Sequence, residues 1–200
     1  LKSFQGIVEG IENTIYLLVT SDGKYILTLY EKRVRQEDLP FFMNLLSSLS
    51  DKKFKCPKPI KDRKGNYINK IKNKNASIVS YIEGKSKKNL TPLECKTIGK
   101  MSANIHLLTK KIKANPNQVS INYWKSVFNK IKNECDSIKE GLANDVNKSL
   151  NSLEKSWPKN LPRGVVHADI FPDNILFYSG KVSGIIDFYF SCNDFFAYDI

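Results

Sequence analysis

The chain has 200 residues and a formal net charge of +12 at pH 7, with 41% hydrophobic and 26% charged residues. These proportions are typical of a globular protein and exclude a disordered chain. No apolar run approaches the ~20 residues of a membrane-spanning helix, so no membrane association is expected. The length suits one domain or two small lobes with a hydrophobic core.

The positive charge is spread over the whole sequence. Lysine and asparagine are abundant in every segment, whereas arginine, which most often contacts bases and phosphates, is rare. A basic surface can bind nucleic acid, but this even distribution favours a solvated surface, and we expect no nucleic-acid partner. The cysteines are scattered, without a C-x-x-C pair: Cys56, Cys95, Cys135 and Cys192. We therefore expect reduced thiols in a cytoplasmic protein, without zinc or disulfides.

The first part of the chain predicts an antiparallel sheet with one helix. Residues 4–8, 15–19 and 24–30 have the composition of strands, and Asp22-Gly23 is a typical hairpin turn. A helix is predicted to open at residues 38–40, with proline in its first turn. Its apolar residues recur at helical spacing: Leu39, Phe42, Leu45, Leu46 and Leu49.

The sheet is predicted to end before a linker. Residues 56–60 form an extended connector, and residues 67–72 and 76–82 predict the last strands. Residues 83–86 then break the pattern and are interpreted as the linker.

Three helices are predicted after the linker. The first opens with the capping-box pattern of residues 91–94, the second covers residues 120–139 and the third covers residues 142–157. His106 of the first helix is predicted to be a packed or capping residue. Six residues of the second helix are predicted to face inward: Trp124, Val127, Phe128, Ile131, Cys135 and Ile138.

Three polar residues stand out from an apolar frame further along the chain: Asp169, Asn174 and Asp187. The surrounding residues predict a strand, a tight loop, a strand, a turn at Ser179-Gly180 and a final strand. Phosphoryl transfer from ATP needs a carboxylate that accepts the proton of the attacking hydroxyl, and oxygen ligands for Mg²⁺. We predict Asp169 as the catalytic base and Asn174 and Asp187 as metal ligands. The alternative is a set of ordinary turn residues that cap one another.

The order H-x-D-x-x-x-x-N followed by I-D-F resembles the catalytic loop and metal-binding segment of the aminoglycoside phosphotransferase and choline kinase superfamily. The resemblance implies an α+β, protein-kinase-like fold with two lobes. Residues 1–82 are expected to form the nucleotide-binding lobe, and residues 83–200 a mostly helical lobe with a catalytic β-hairpin. ATP and Mg²⁺ are the implied cofactors. His167 is grouped with Asp169 as catalytic because it is expected to brace the loop.

Longer stretches are similar to homoserine kinases of the choline-kinase-like type: residues 13–16, 23–31, 38–42, 166–177 and 186–194. This resemblance implies ATP-dependent phosphorylation of the side-chain hydroxyl of L-homoserine, a step of threonine biosynthesis. Family members continue well past the position of Ile200, with helices that help to wall the substrate pocket. We therefore expect a carboxyl-terminal part that this chain lacks.

The two-lobed resemblance also implies a nucleotide site. The loop before the second strand is expected to cover the ATP phosphates, and the end of the last strand of the sheet to contact adenine through its backbone. The residues so assigned are Gly10, Asn13 and Thr14 for the phosphates and Ser80, Tyr81 and Ile82 for adenine.

One departure from the wider superfamily concerns the phosphate-binding lysine. Thr28 occupies its position, and residues 40–42 replace the glutamate with which that lysine pairs. The two halves of the ion pair are absent together, which is consistent because a buried glutamate without its lysine is costly. Lys24, Lys32, Arg33 or Mg²⁺ is expected to supply the positive charge.

The acceptor pocket is less specified. Tyr189, Asn193 and Asp194 are the candidate substrate residues, and the alternative for the last two is a helix or turn cap. Choline remains a possible acceptor because aromatic residues cluster at 188–196. An aminoglycoside would favour an acidic pocket. A third alternative is an inactive binding protein that has kept the fold. The sequence leaves the oligomeric state open.

Overall fold

An antiparallel sheet forms the amino-terminal part of the protein. The computed structural model describes residues 1–7, 13–31 and 34–200. Among these residues, six strands form the sheet: β1 (Ser3–Ile7), β2 (Thr14–Val19), β3 (Lys24–Leu29), β4 (Pro59–Ile60), β5 (Ile68–Ile71) and β6 (Lys74–Ser80). They pair antiparallel in the order β1-β2-β3-β6-β4, and β5 also pairs with β6. The predicted strands are confirmed, and the connector contributes β4.

Helix α1 (Leu39–Asp51) packs beside this sheet, and Pro40 lies in its first turn as predicted. The five predicted apolar residues are all buried, together with Met43. Full burial of a side chain of this kind contributes about 1.5–3 kcal/mol. The helix therefore supplies a large share of the main core, which also contains residues of the carboxyl-terminal strands.

Three longer helices follow the linker: α2 (Pro92–Leu108), α3 (Ile121–Ile138) and α4 (Leu142–Ser156). The capping box at the start of α2 is confirmed. The Thr91 side chain accepts a hydrogen bond from the Glu94 N–H at 3.3 Å, and the Glu94 carboxylate accepts one from the Thr91 N–H at 2.9 Å. No helix within the described ranges is long and apolar enough to cross a membrane.

Helices α3 and α4 share a small core of their own, formed by Phe128, Cys135 and Leu150. The prediction that Ile131 and Ile138 face inward is wrong, because their exposed fractions are 46% and 81%. The helical spacing of apolar residues in α3 predicted a buried face broad enough to pack against several elements. In this part of α3 a single partner helix covers a narrower stripe.

Four strands complete the fold: β7 (Arg163–Val166), β8 (Ile175–Tyr178), β9 (Lys181–Ile185) and β10 (Cys192–Phe195). Strands β8 and β9 form the predicted hairpin, and the turn residues Ser179 and Gly180 both have positive φ. Strand β10 pairs with β7. An amino-terminal sheet with one helix, followed by a mostly helical part with a β-hairpin, is therefore confirmed.

The linker lies directly on the hairpin. The N–H of Lys85 donates to the carbonyl of Phe177 at 3.0 Å, and the N–H of Phe177 donates back at 2.9 Å. Gly84 allows this approach. Its φ is +144°, and a Cβ atom there would lie 2.7 Å from Ser183 Oγ and 2.8 Å from the Phe177 carbonyl oxygen. The linker is thus part of the structure that positions the hairpin.

We predict that Gly84→Ala lowers the free energy of unfolding by about 3 kcal/mol, through backbone strain and steric overlap. Gly65→Ala is the matched control, because Gly65 has φ +89° and a Cβ atom there would meet no other atom within 4 Å. It should cost about 1 kcal/mol, from backbone strain alone. Urea unfolding followed by far-UV circular dichroism measures both values. Equal losses would contradict the close approach.

Candidate active site

The loop between β7 and β8 brings Asp169 and Asn174 into contact. Nδ2 of Asn174 donates to Asp169 Oδ2 at 2.8 Å and to the Asp169 carbonyl oxygen at 2.9 Å. A single 3₁₀ turn, Pro172–Asn174, separates the two residues. These residues do bond to one another, as the turn alternative expected. However, the bonds engage only the amide nitrogen of Asn174, and the loop also holds the Asp169 carboxylate in a fixed position.

Asp187 lies two residues after the end of β9. The N–H of Ile186 donates to the carbonyl of Asn174 at 3.0 Å, which brings the two predicted metal-binding segments together. Asp187 itself is exposed and has a left-handed backbone, with φ +63°. Within the ranges described, no three His, Cys, Asp or Glu side chains form a cluster that could hold a metal ion. A site with two oxygen ligands suits Mg²⁺, which keeps several waters.

His167 lies between these segments and is fully buried. Its Nδ1 accepts from the N–H of Asp169 at 3.2 Å, so Nε2 carries the proton and donates to the Ile186 carbonyl at 3.0 Å. Burial lowers the pKa of His167 to about 4, although the nearby Asp199 carboxylate opposes this shift. The ring is therefore neutral at pH 7, and its geometry is that of a positioning residue.

Asp199 contacts the same loop and was not found by the sequence analysis. Its side chain is fully buried, and its two oxygens accept from the N–H groups of His167 at 3.0 Å and Ala168 at 2.7 Å. His106 Nε2 lies 2.8 Å from Asp199 Oδ2, and the His106 ring stacks on Phe196. His106 is thus a packed residue, as predicted. The only local signal for Asp199 is an acid within an aromatic stretch.

Two of the residues predicted to contact the nucleotide phosphates, Asn13 and Thr14, both contact Glu31. Asn13 Oδ1 accepts from the N–H of Glu31 at 3.2 Å, and Thr14 Oγ1 donates to its carboxylate at 3.0 Å. Lys74 pairs with the same carboxylate at 2.5 Å. Both side chains therefore contact Glu31, where the predicted phosphate loop joins β2. Gly10, Lys32 and Arg33 lie outside the described residues.

The predicted adenine-binding residues are not equivalent. The N–H groups of Ser80 and Tyr81 donate to the carbonyls of Lys58 at 2.8 Å and Lys24 at 3.2 Å, so the sheet already uses both donors. Ile82 packs over Gly184, where a Cβ would lie 2.7 Å from Ile82 Cδ1. This leaves Ile82 as the candidate backbone donor for adenine.

Lys24 does not lie at the phosphate end of the sheet. It pairs with Glu83 at 3.0 Å at the linker end of β3, and its register partner is Val19. Thr14, by contrast, pairs with Leu29 at the other end of β3. Lys24 therefore lies at the other end of β3 from Thr14, which does not favour it among the candidates for the positive charge at the phosphates.

A buried chain of hydroxyl groups includes the position of the missing lysine. Thr28 is 4% exposed and hydrogen-bonds to Tyr189, whose hydroxyl lies 2.9 Å from that of Tyr30. The Tyr30 hydroxyl also lies 2.6 Å from Ser77 Oγ. Burial raises the pKa of Tyr30 and of Tyr189, so both phenols stay neutral at pH 7. These contacts join β3 and β6 to the segment that follows Asp187.

The predicted substrate residues differ in their surroundings. Asn193 and Asp194 lie on β10, so the alternative of a helix or turn cap is wrong. Asp194 is buried, and its oxygens accept from Asn117 Nδ2 and the Phe195 N–H, each at 2.7 Å. This does not favour a contact between Asp194 and a substrate amine. Tyr189 lines a cavity beside the start of α1.

The comparisons with known proteins fit this geometry. Residues 3–200 match the family described as the phosphotransferase enzyme family. The chain belongs to this family. It is 43% identical to a homoserine kinase of Parvibaculum lavamentivorans and 42% identical to one of Mesorhizobium japonicum. Each alignment covers all of the chain and 63% of the relative, so the chain spans about 63% of the length of these curated relatives.

Solved structures in the same comparison show the fold. A spectinomycin phosphotransferase in complex with ADP and spectinomycin has a TM-score of 0.75 at 16% identity, over 98% of this chain and 66% of that one. A choline kinase of Cryptosporidium parvum has a TM-score of 0.66 at 14% identity, over 96% of this chain and 59% of that one. The kinase-like fold that the sequence predicts is thereby confirmed.

We predict that Asp199→Asn destabilises the protein by about 2–4 kcal/mol, because an amide cannot accept both loop N–H groups and leaves a buried donor unpaired. The His167 and Ala168 amide protons should also exchange faster with solvent, as measured by NMR. Asp173→Asn, at an exposed position of the same loop, should change the unfolding free energy by less than about 0.5 kcal/mol. Unchanged exchange in Asp199→Asn would contradict the role of this carboxylate.

A second prediction concerns pH. The native pKa of His167 is about 4 and its ordinary value is 6.5, so below pH 6.5 the unfolded chain binds a proton that the native protein excludes. Stability should fall progressively from about pH 6.5 to pH 4, by about 3 kcal/mol for this residue. Urea titrations at several pH values should show a shallower dependence in His167→Gln. The same slope in both proteins would rule out this assignment.

Proposed function

We propose that the full-length protein is an ATP-dependent kinase that phosphorylates the side-chain hydroxyl of L-homoserine. The observation that carries this proposal is the arrangement of Asp169, Asn174 and the Ile186-Asp187 segment around one loop. Membership of the phosphotransferase enzyme family supports the reaction class. Similarity to curated homoserine kinases supports the acceptor, and their greater length makes this a proposal about the whole protein.

In this proposal Asp169 orients the acceptor hydroxyl and takes its proton as the phosphoryl group leaves ATP. The hydrogen bond from Asn174 Nδ2 holds the carboxylate in place. His167 positions the Asp169 backbone through Nδ1 and the Ile186 backbone through Nε2. Because most of the catalytic effect in phosphoryl transfer is positioning, these contacts matter as much as the proton transfer.

Mg²⁺ would be held by Asn174 and Asp187. Nδ2 of Asn174 is engaged with Asp169, so Oδ1 is the atom that we assign to the metal. An amide oxygen and a carboxylate are ligands that Mg²⁺ prefers. When bound, the ion would supply positive charge that offsets the charge of the phosphate groups.

We place the nucleotide between a lobe of residues 1–82 and a lobe of residues 83–200. Adenine would contact the backbone of Ile82, and the loop containing Gly10, Asn13 and Thr14 would cover the phosphates. Thr28 carries no charge, and the hydroxyl chain through Tyr189 joins the sheet to the metal-binding segment instead.

Choline is less favoured as the acceptor because the two aromatic residues that directly follow Asp187 do not form an open cage. Phe188 is 1% exposed and packs on His167, and Tyr189 packs edge-on against Tyr30 and Phe42. A quaternary ammonium group needs accessible ring faces. These rings are instead engaged within the core.

We predict that Asp169→Asn lowers turnover by about 10²–10⁴-fold with little change in unfolding free energy, because it removes the proton acceptor and keeps the side-chain shape. Asp173→Asn, exposed in the same loop, should keep the wild-type rate. Asp187→Asn should raise the Mg²⁺ concentration needed for half-maximal rate, whereas added Mg²⁺ should not restore Asp169→Asn. ADP release by the full-length protein with L-homoserine measures all three.

A near-normal rate in Asp169→Asn would overturn its role as the base. Turnover with choline or an aminoglycoside, but not with homoserine, would keep the mechanism and replace the acceptor. Nucleotide binding without turnover on any of these alcohols would favour the inactive binding protein.

A further inference from the structure

A cavity of about 140 Å³ lies where the start of α1 meets the segment that follows Asp187. Its walls come from three parts of the chain: residues 34–42, residues 115–119 and residues 189–192. At roughly 10–15 Å³ for each water-sized group, it can hold a ligand of about ten non-hydrogen atoms. L-Homoserine falls within that size, whereas an aminoglycoside is far larger.

One wall of the cavity carries a positive and a negative side chain. Arg35 Nε lies 3.7 Å from Asp38 Oδ2, and both residues line the space. The Arg35 side chain is 54% exposed and also pairs with Glu37 at its outer side. Asp38 is 14% exposed, and its Oδ1 accepts from Asn115 Nδ2 at 2.6 Å. The wall thus offers a guanidinium and a carboxylate a few ångströms apart.

The lining of the cavity also includes Ser191, in the segment that follows Asp187. Ser191 is 5% exposed, and its Oγ makes no hydrogen bond to any residue that the structure describes. A buried hydroxyl without a partner is unfavourable, but this oxygen has almost no accessible surface, so a ligand in the cavity does not reach it. The remaining surface is largely apolar, with the rings of Phe41 and Phe42 among its residues.

We propose that this cavity binds the α-amino and α-carboxylate groups of the acceptor amino acid. The carboxylate would bind Arg35, and the ammonium group would bind Asp38. The inference rests on the proposed function and identifies where its acceptor is recognised. A zwitterion matches the wall better than an ion of one sign, because both charges of the pair find a counterpart.

The position of the cavity agrees with this role. Tyr189 forms part of its wall and lies two residues after Asp187, the proposed metal ligand. The hydroxyl chain through Tyr30 fixes Tyr189 against the sheet. An amino acid bound by its α-substituents would leave its side-chain hydroxyl free to extend towards the metal-binding segment.

Steady-state kinetics of the full-length protein at saturating Mg-ATP test the proposal. Arg35→Gln should raise KM for L-homoserine about ten- to a hundredfold, the usual effect of losing a charge-assisted hydrogen bond, with KM for ATP unchanged. Arg63→Gln is the matched control, because Arg63 is exposed in the connection between β4 and β5 and does not line the cavity. Asp38→Asn should act like Arg35→Gln, with Asp51→Asn as its control at the exposed end of α1.

Acceptors that lack one of the two charged groups distinguish a lost contact with the substrate from a structural effect of the substitution. Arg35→Gln should not change KM for propanolamine, which is homoserine without its carboxylate. Asp38→Asn should not change KM for γ-hydroxybutyrate, which lacks the amine. Ser191→Ala should leave KM for homoserine unchanged while its melting temperature stays equal or rises, because the substitution removes an unpaired buried hydroxyl that a ligand does not reach.

The outcomes are distinct. Homoserine turnover with normal KM in both Arg35→Gln and Asp38→Asn would overturn the inference and leave the proposed function intact. Equal increases of KM for homoserine and propanolamine in Arg35→Gln would also overturn it, because the effect would not depend on the carboxylate. No homoserine turnover by the wild-type protein would overturn the proposed function and this inference together.

Discussion

The carboxylate of Asp199 is the contact on which the rest of the site depends. Its two oxygens accept from consecutive backbone N–H groups at His167 and Ala168, and Ala168 has φ +65°, a conformation that alanine rarely adopts. The buried anion stabilises this backbone because it satisfies both donors there. His167 and Asp169 then take positions that local sequence preferences would not produce. The neutral imidazole of His167 also holds the backbone just after β9 in place, because it donates to the Ile186 carbonyl.

Backbone pairing and a chain of hydroxyl groups contribute to the contact between the sheet and the helical part, beside the Lys55 ammonium group, which donates to the Val182 carbonyl at 3.0 Å. The linker pairs with the hairpin through the backbone of Lys85 and Phe177, and the hydroxyl chain joins Thr28 and Tyr30 to Tyr189. A buried ion pair requires the desolvation of two charges, whereas phenols and a threonine hydroxyl need only hydrogen bonds. Because Thr28 is uncharged, its buried position needs no countercharge.

Local patterns predicted most of the fold and the three polar residues of the motif. Helix α1, the capping box and the hairpin turn depend on residues close in sequence, and each was predicted correctly. The pairing of β10 with β7 and the Asp199 contacts join residues that are far apart in sequence, so no local pattern indicates them. The cavity likewise needs three separate segments. Periodicity overestimated the buried face of α3, because it does not say how many neighbours a helix has.

Both tryptophans of the chain lie in the small core of α3 and α4, where the rings of Trp124 and Trp157 are 5.8 Å apart and nearly perpendicular. Intrinsic tryptophan fluorescence therefore reports on this helix pair rather than on the catalytic loop or the sheet. If the pair opens before the main core, fluorescence and circular dichroism would give different unfolding midpoints for a protein whose active loop is still intact.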